Sequence, residues 1–329
     1  GDHGHGGYAG RDRWDWFDIW LLDKPDATGL LDDPVVNTFE AEEDGTGVGT
    51  KSGSAWPFPD TQWTNAYLHE NGVLDFEVPT GTEATDVYLS GISRHGYFLY
   101  VNDPPIDPPL ALPPNFASDV TTARSLPDVA DYESAPLESD LVIAGPIQMD
   151  LYASILGTDV DFFVSLSDVW PDGHVSYVQR GMLKASHRAI DPLRSYYVDG
   201  AGVSCTGDPS CEGLRMVQPY RPHTNPQPVI PGEILRYRIE IFPLGHVFRK
   251  DHRLLVQIHT PPVVDGIWGY TPSHQPAVVT VYHDAEHPSS IQLPVVTPDG
   301  PLGPIPPTCQ VPAGFPCTPP SALDAVLGG

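Results

Sequence analysis

Between residues 11 and 23 the apolar side chains Trp14, Phe17 and Leu21, joined by Trp16, Trp20 and Leu22, recur at helical spacing. Their stripe is so wide that both sides of the predicted helix need cover. Pro25 and the turn formers Asp26 to Gly29 end it, because proline lacks an N–H and restricts the residue before it. Beyond residue 30 the period falls to two. Val160, Phe162, Val164 and Leu166 alternate with Asp161, Ser165 and Ser167, and Leu235, Tyr237, Ile239 and Ile241 alternate with Arg236, Arg238 and Glu240. Such alternation predicts half-buried strands. Similar stretches at 35–41, 73–78, 87–92, 97–101, 147–155, 177–185, 254–258, 278–282 and 291–296 predict further strands, with Gly, Pro and Asp between them. Many short strands without intervening helices predict a mainly β chain built as two packed antiparallel sheets, a jelly-roll β-sandwich.

The 38 prolines gather in the connections, notably NDPPIDPPLALPPN and the tail from Thr297, where they stiffen loops and block edge pairing. No internal repeat is visible. A length of 329 residues allows one large β domain or two domains. The formal charge of −26, from 43 acidic against 17 basic residues, repels phosphate backbones and anionic lipid headgroups, so no nucleic-acid or membrane partner is expected. Lys24, Lys51, Lys184 and Lys250 are the only lysines, and so acidic a surface favours solubility in a harsh or salty medium. No apolar run approaches the roughly 18 residues a membrane-spanning helix needs.

Four cysteines form two close pairs, Cys205 with Cys211 in CTGDPSC and Cys309 with Cys317 in CQVPAGFPC. The absence of C-x-x-C spacing and of a histidine at finger distance favours two local disulfides over a metal site. Disulfides in turn imply a secreted, extracellular protein. No signal peptide is visible, which fits a chain whose beginning lies upstream of Gly1.

Several constellations are candidates for chemistry. Asp159 and Asp161 stand two apart, as a glycosidase pair or calcium site requires, yet they read better as the polar end of a strand. Ser93 with His95, and Ser186 with His187, resemble fragments of a nucleophile and base, but the chain has no G-x-S-x-G elbow. His246 and His252 flank VFRKD between two strands, where a structural imidazole is expected. His3 and His5, in the glycine loop GDHGHGG, suit a metal site with Asp2, an unstructured leader or a single aimed catalytic imidazole. In α/β-hydrolases the triad runs Ser, Asp or Glu, then His, with the histidine on a loop just before the last helix of the domain. The opening stretch has that order of parts.

The segments RWDWFDIWLLDKP, WPFPDTQWTNAYLHENGVL, YESAPLESDLVIAGPIQMDLYASILGTDVDFFVSLSDVWPDGHVSYVQRGMLKASHR, IPGEILRYRIEIFPLGHVFRKDHRLLVQI and EHPSSIQLPVV follow one another in the chain. In that joint order the chain resembles the C-terminal portion of the X-Pro dipeptidyl-peptidase and cocaine esterase family of serine hydrolases, over residues 1–296. The turn before His252 carries Asp251 where relatives often have glycine, and the tail from Thr297 has no counterpart.

The resemblance implies a short loop-helix remnant of an α/β-hydrolase domain at 1–30, a jelly-roll sandwich at 31–296 and a Pro-rich, disulfide-bearing tail at 297–329. It implies acyl transfer: an upstream serine attacks an ester or amide carbonyl, X-Pro peptides included. The histidine, His3 with His5 as second choice, relays the proton, and an upstream aspartate holds its tautomer. Serine and aspartate then lie in a missing N-terminal hydrolase segment or partner subunit, and the chain alone is inert. The loop carrying Phe116 falls where relatives wall the substrate cleft, making Phe116 the candidate substrate contact, with Tyr132 and Trp170 as alternatives. Neither cofactor nor metal is expected, and apolar sandwich faces allow a homo-oligomer. The competing class is a non-catalytic secreted sandwich that binds carbohydrate or protein, or assembles structurally, with Trp56, Trp63, Trp170 and Trp268 as a stacking platform.

Overall fold

The computed structural model describes residues 10–32, 35–40, 47–90, 129–199, 204–259, 277–304 and 317–318. It opens on helix α1 (Gly10–Leu22), one residue ahead of the span that the apolar stripe predicts. There follow β1 (Val35–Glu40), β2 (Gly47–Gly53), β3 (Gln62–His69), β4 (Val73–Asp75), β5 (Asp86–Ser90), β6 (Val129–Ser134) and β7 (Leu141–Leu156). Then come β8 (Asp161–Val169), β9 (Val175–Lys184), β10 (Tyr196–Val198), β11 (Ser204–Cys205) and β12 (Arg215–Gln218). The chain continues with β13 (Leu235–Phe248), β14 (Arg253–His259), β15 (Ala277–Tyr282), β16 (Ser290–Val295) and β17 (Cys317–Thr318). The expectation of a mainly β chain with one helix holds among the described residues.

The strands do not separate into two sheets with free edges. Hydrogen bonding runs β13–β9–β8–β14–β6–β4–β3–β16–β7 and returns from β7 to β13, closing a ring. Every step is antiparallel except β4–β6, which is parallel. Closure gives each strand of the ring a neighbour on both sides, while β15 and β5 extend the sheet outward from β7, with β5 at its end. The long strands β7 and β13 make it happen: they pair from Leu235 opposite Ala153 to Phe248 opposite Leu141, while β7 gives its opposite edge first to β16 and then to β15. Bulges at Ile241/Leu244 and Gln292/Val295 bend the ladder where Gly145 faces Pro294. Gly145 sits at φ 149°, and a Cβ there would lie 2.9 Å from Pro294 Cβ, so glycine is required.

The core lies inside the ring. Leu68, Tyr132, Ile147, Met149, Leu151, Phe162, Val164, Tyr237, Ile239, Leu254, Val256, Val279 and Ile291 are all buried there, and the Phe162 and Tyr237 rings meet at 4.8 Å. Full burial of each large aliphatic or aromatic side chain stabilises by about 1.5–3 kcal/mol. The period-two reading of β13 is accurate, with Tyr237, Ile239 and Ile241 buried and the residues between them not. That of β8 needs correction. All its residues are buried, polar ones included, because β8 runs between β9 and β14 and its polar face finds partners: Lys184 pairs with Asp161 at 2.8 Å, and Ser165 Oγ bonds His259 Nε2 at 2.8 Å. A separate small sheet, β11–β10–β12, carries the Cys205–Cys211 disulfide, as the cysteine spacing predicts, with Cα atoms 5.8 Å apart. Cys309 lies outside the described residues.

Candidate functional site

The expected catalytic histidines His3 and His5, the substrate contact Phe116, and Ser93, His95 and Trp268 lie outside the described residues. What the structure does show of the opening stretch is the helix that follows it. On α1, Trp14 is 68% exposed, Trp20 59% and Leu21 71%, and the Trp16 and Trp20 rings touch each other at 5.6 Å. The helix is anchored at its C-terminal end: Lys24 Nζ donates to Asp18 at 2.7 Å, and Asp26 accepts backbone hydrogen bonds from Thr28, Leu30 and Leu31, which hold its carboxyl below the usual range. An apolar surface of this width on one short helix is the mark of a face that meets other protein.

The other residues singled out by sequence take structural posts. Asp159 accepts from the backbone of Val160 and Ser186 and from Ser186 Oγ at 2.6 Å, tying down the turn Ala185–His187, whereas Asp161 turns to Lys184. The two carboxylates therefore serve different partners and make no catalytic pair. Ser186 spends its hydroxyl on Asp159 and leaves His187 without a serine. Tyr132 is buried and donates to Asp86 at 2.9 Å, so it walls no open cleft. Trp170 is buried against the His252 ring at 4.8 Å, Trp56 lies edge-on to Phe58, and Trp63 sits under the Arg215 guanidinium. Burial of Trp170 removes it from the expected carbohydrate platform.

Two buried networks join partners that the sequence reading did not connect, although the structural imidazoles it expected at His246 and His252 are borne out. Asp168, of the same strand parity as the core residues Phe162 and Leu166, receives His252 Nδ1 at 2.9 Å and His246 Nε2 at 3.4 Å. Burial pushes its carboxyl up, but the hydrogen bonds and charge of the two imidazoles outweigh this and hold it below its ordinary value. At another point of the ring, His283 lies between Glu83 at 3.2 Å and Asp86 at 3.0 Å, while His69 reaches Glu83 at 2.8 Å. Desolvation lowers His283, yet bonding to the two carboxylates raises it above its usual value overall. Spacing does not announce either network, since Asp168 stands 78 to 84 residues from its imidazoles and His283 197 to 200 from its carboxylates; only His69 and Glu83, 14 apart, are near in sequence.

A cleft of about 570 Å³ opens beside the end of β9, lined by Met182 to Lys184, His187, Gln218 to Arg221, His223, Glu240 and Phe242. Arg221 donates to the carbonyls of Arg188 and Arg238, and burial drops its guanidinium to about 10. Glu240 is raised by burial against the opposing pull of Gln218 and Arg221. His187 and His223 face each other across the mouth, Nδ1 to Nδ1 at 3.3 Å, with ring centroids 5.2 Å apart. Sequence reading named His187 only beside Ser186 and missed His223, Arg221 and Glu240.

Ring closure, the two-sided burial of β8 and the helix with its outward aromatics define a mainly β module built on a closed mixed sheet, and the comparisons place that fold among known proteins. In solved structures the same fold recurs in a CocE/NonD family hydrolase from Staphylococcus aureus, with a TM-score of 0.58 at 17% identity over 87% of this chain and 45% of that one. It recurs in an aminopeptidase from a marine sediment archaeon, with a TM-score of 0.54 at 22% identity over 87% of this chain and 44% of that one. The chain belongs to the family of the X-Pro dipeptidyl-peptidase C-terminal non-catalytic domain, which matches residues 35–292. A protein assigned as a serine esterase in Mycobacterium bovis is 28% identical over 82% of this chain, and the cocaine esterase of Rhodococcus is 26% identical over 73%. The chain spans 39% of the length of each of these two relatives. Domains of this type accompany an α/β-hydrolase catalytic domain. The resemblance read from the ordered segments is thereby shown.

Proposed function

We propose that this chain is the C-terminal part of a secreted serine hydrolase that cleaves ester or amide bonds, X-Pro peptides among them, through a Ser-His-Asp acyl-enzyme. In this reading residues 1–30 close the hydrolase domain, 31–296 form the jelly-roll module packed on it, and 297–329 are an appended tail. The serine and aspartate lie outside the chain, His3 or His5 brings the imidazole, and Phe116 contributes to the wall of the substrate cleft.

The observation that carries the proposal is the match to a non-catalytic domain family through residue 292, preceded by a helix whose Trp14, Trp16 and Trp20 remain uncovered. A hydrolase domain packed on α1 supplies the missing cover, and the same packing brings the preceding loop to the catalytic serine. Such a helix has no use in a free-standing binding module, and the burial of Trp170 weakens the carbohydrate alternative further. The test is co-expression of this chain with the segment encoded upstream of it. The two are expected to co-purify, and replacement of Trp14, Trp16 and Trp20 by serine is expected to abolish the association; a complex that survives the triple replacement refutes α1 as the interface.

A further inference from the structure

We propose that His187 and His223 form a two-histidine site for a divalent transition metal of the zinc class at the mouth of the cleft beside β9. The proposal is independent of the hydrolase reading. It starts from a distance: the two Nδ1 atoms stand 3.3 Å apart. Two imidazole nitrogens bound to one tetrahedral zinc at about 2.0–2.1 Å are separated by about 3.3–3.4 Å. The separation of the two nitrogens therefore equals that of a zinc-bound pair.

One further observation points the same way. Each ring has the other as its only hydrogen-bond partner among the described residues, so no carboxylate or carbonyl competes for the nitrogens. His223 sits in the left-handed backbone region at φ 54°, which histidine enters more readily than most residues with a Cβ. Arg221 itself is committed to backbone carbonyls and Lys184 to Asp161, while Glu240 brings a carboxyl to the same cleft.

The described residues contain no cluster of three or more His, Cys, Asp or Glu donors around a common point. Zinc held by two histidines keeps its remaining positions for water or for a ligand's carboxylate or amine, so the site is open and of modest affinity. The expectation of no metal rests on local spacings, whereas this pair joins residues 36 apart in sequence.

The test is calorimetric titration of the metal-free full chain with zinc chloride at neutral pH, on the wild type and on His187→Gln and His223→Asn. Asparagine is chosen because it tolerates the left-handed backbone. One zinc per chain is expected, with affinity falling at least about tenfold in each variant. As a check that needs no variant, zinc is expected to protect His187 and His223 of the wild type from diethyl pyrocarbonate, read by mass spectrometry. Absence of saturation by millimolar zinc, variants that bind as tightly as the wild type, or unprotected His187 and His223 would each overturn the site, leaving an ordinary hydrogen bond between the two imidazoles.

Discussion

Asp168 and His283 are the two residues whose surroundings make the firmest demands. Asp168 is buried with two imidazoles on its oxygens, so Asp168→Asn, which keeps the shape and loses the charge, is expected to cost about 2–4 kcal/mol in urea unfolding. The pH dependence has two limbs of opposite sign. Asp168 is held below its ordinary value, so its contribution is complete above about pH 4, the unfolded carboxyl range, and is lost as pH falls through the folded value. His283 is raised, so its contribution is complete below about pH 6.5 and is lost as pH rises through the folded value. Melting temperatures across pH are therefore expected to peak in the mildly acidic range, and His283→Gln is expected to flatten the alkaline limb only. An unchanged alkaline limb in that variant would remove His283 from the account. Neither residue was visible as a partner in the sequence, because ion-pair geometry across a closed β ladder depends on register between strands far apart in the chain.

At the scale of elements, legibility followed local periodicity. α1 was read to within a residue of its ends and β13 through its first half, Leu235 to Ile241, because 3.6- and two-residue patterns are local properties; past Ile241 the bulge breaks the alternation and the rest of the strand, to Phe248, was not read. β8 was misread as half-buried: alternation tells which face is polar, not whether that face is covered, and here Lys184 and His259 complete it. β2, β3, β6 and the small β10–β11–β12 sheet were missed because they are short or mix polar residues into both faces. One close approach governs the β9–β13 contact. A Cβ on Gly181 would collide with the Glu240 carbonyl, so Gly181→Ala is expected to destabilise by about 1–3 kcal/mol in chemical unfolding. For α1 the expectation is reversed: Trp14→Ser, Trp16→Ser and Trp20→Ser together are expected to leave the unfolding of the β-module within about 0.5 kcal/mol, since these rings cover none of its core. A larger loss would mean that α1 is part of the module and not a contact for another one.

At the scale of the molecule, the closed ring encloses the buried core, the whole chain carries a formal charge of −26, and α1 leaves its aromatic face exposed. The family was legible in the sequence because several weak segments keep their order; the arrangement of the cleft was not, because its residues converge only after the ring closes. The chain spans 39% of its esterase relatives and matches a non-catalytic domain, so in the proposed function it shares in chemistry only through what it packs against. The most direct measurement is fluorophosphonate labelling of the protein made from the complete reading frame, beside the 329-residue chain alone. The account predicts a labelled serine and p-nitrophenyl ester cleavage in the complete protein, both lost when His3 and His5 are replaced together, and no label on the chain alone. A complete protein that takes no label and cleaves no ester would contradict it.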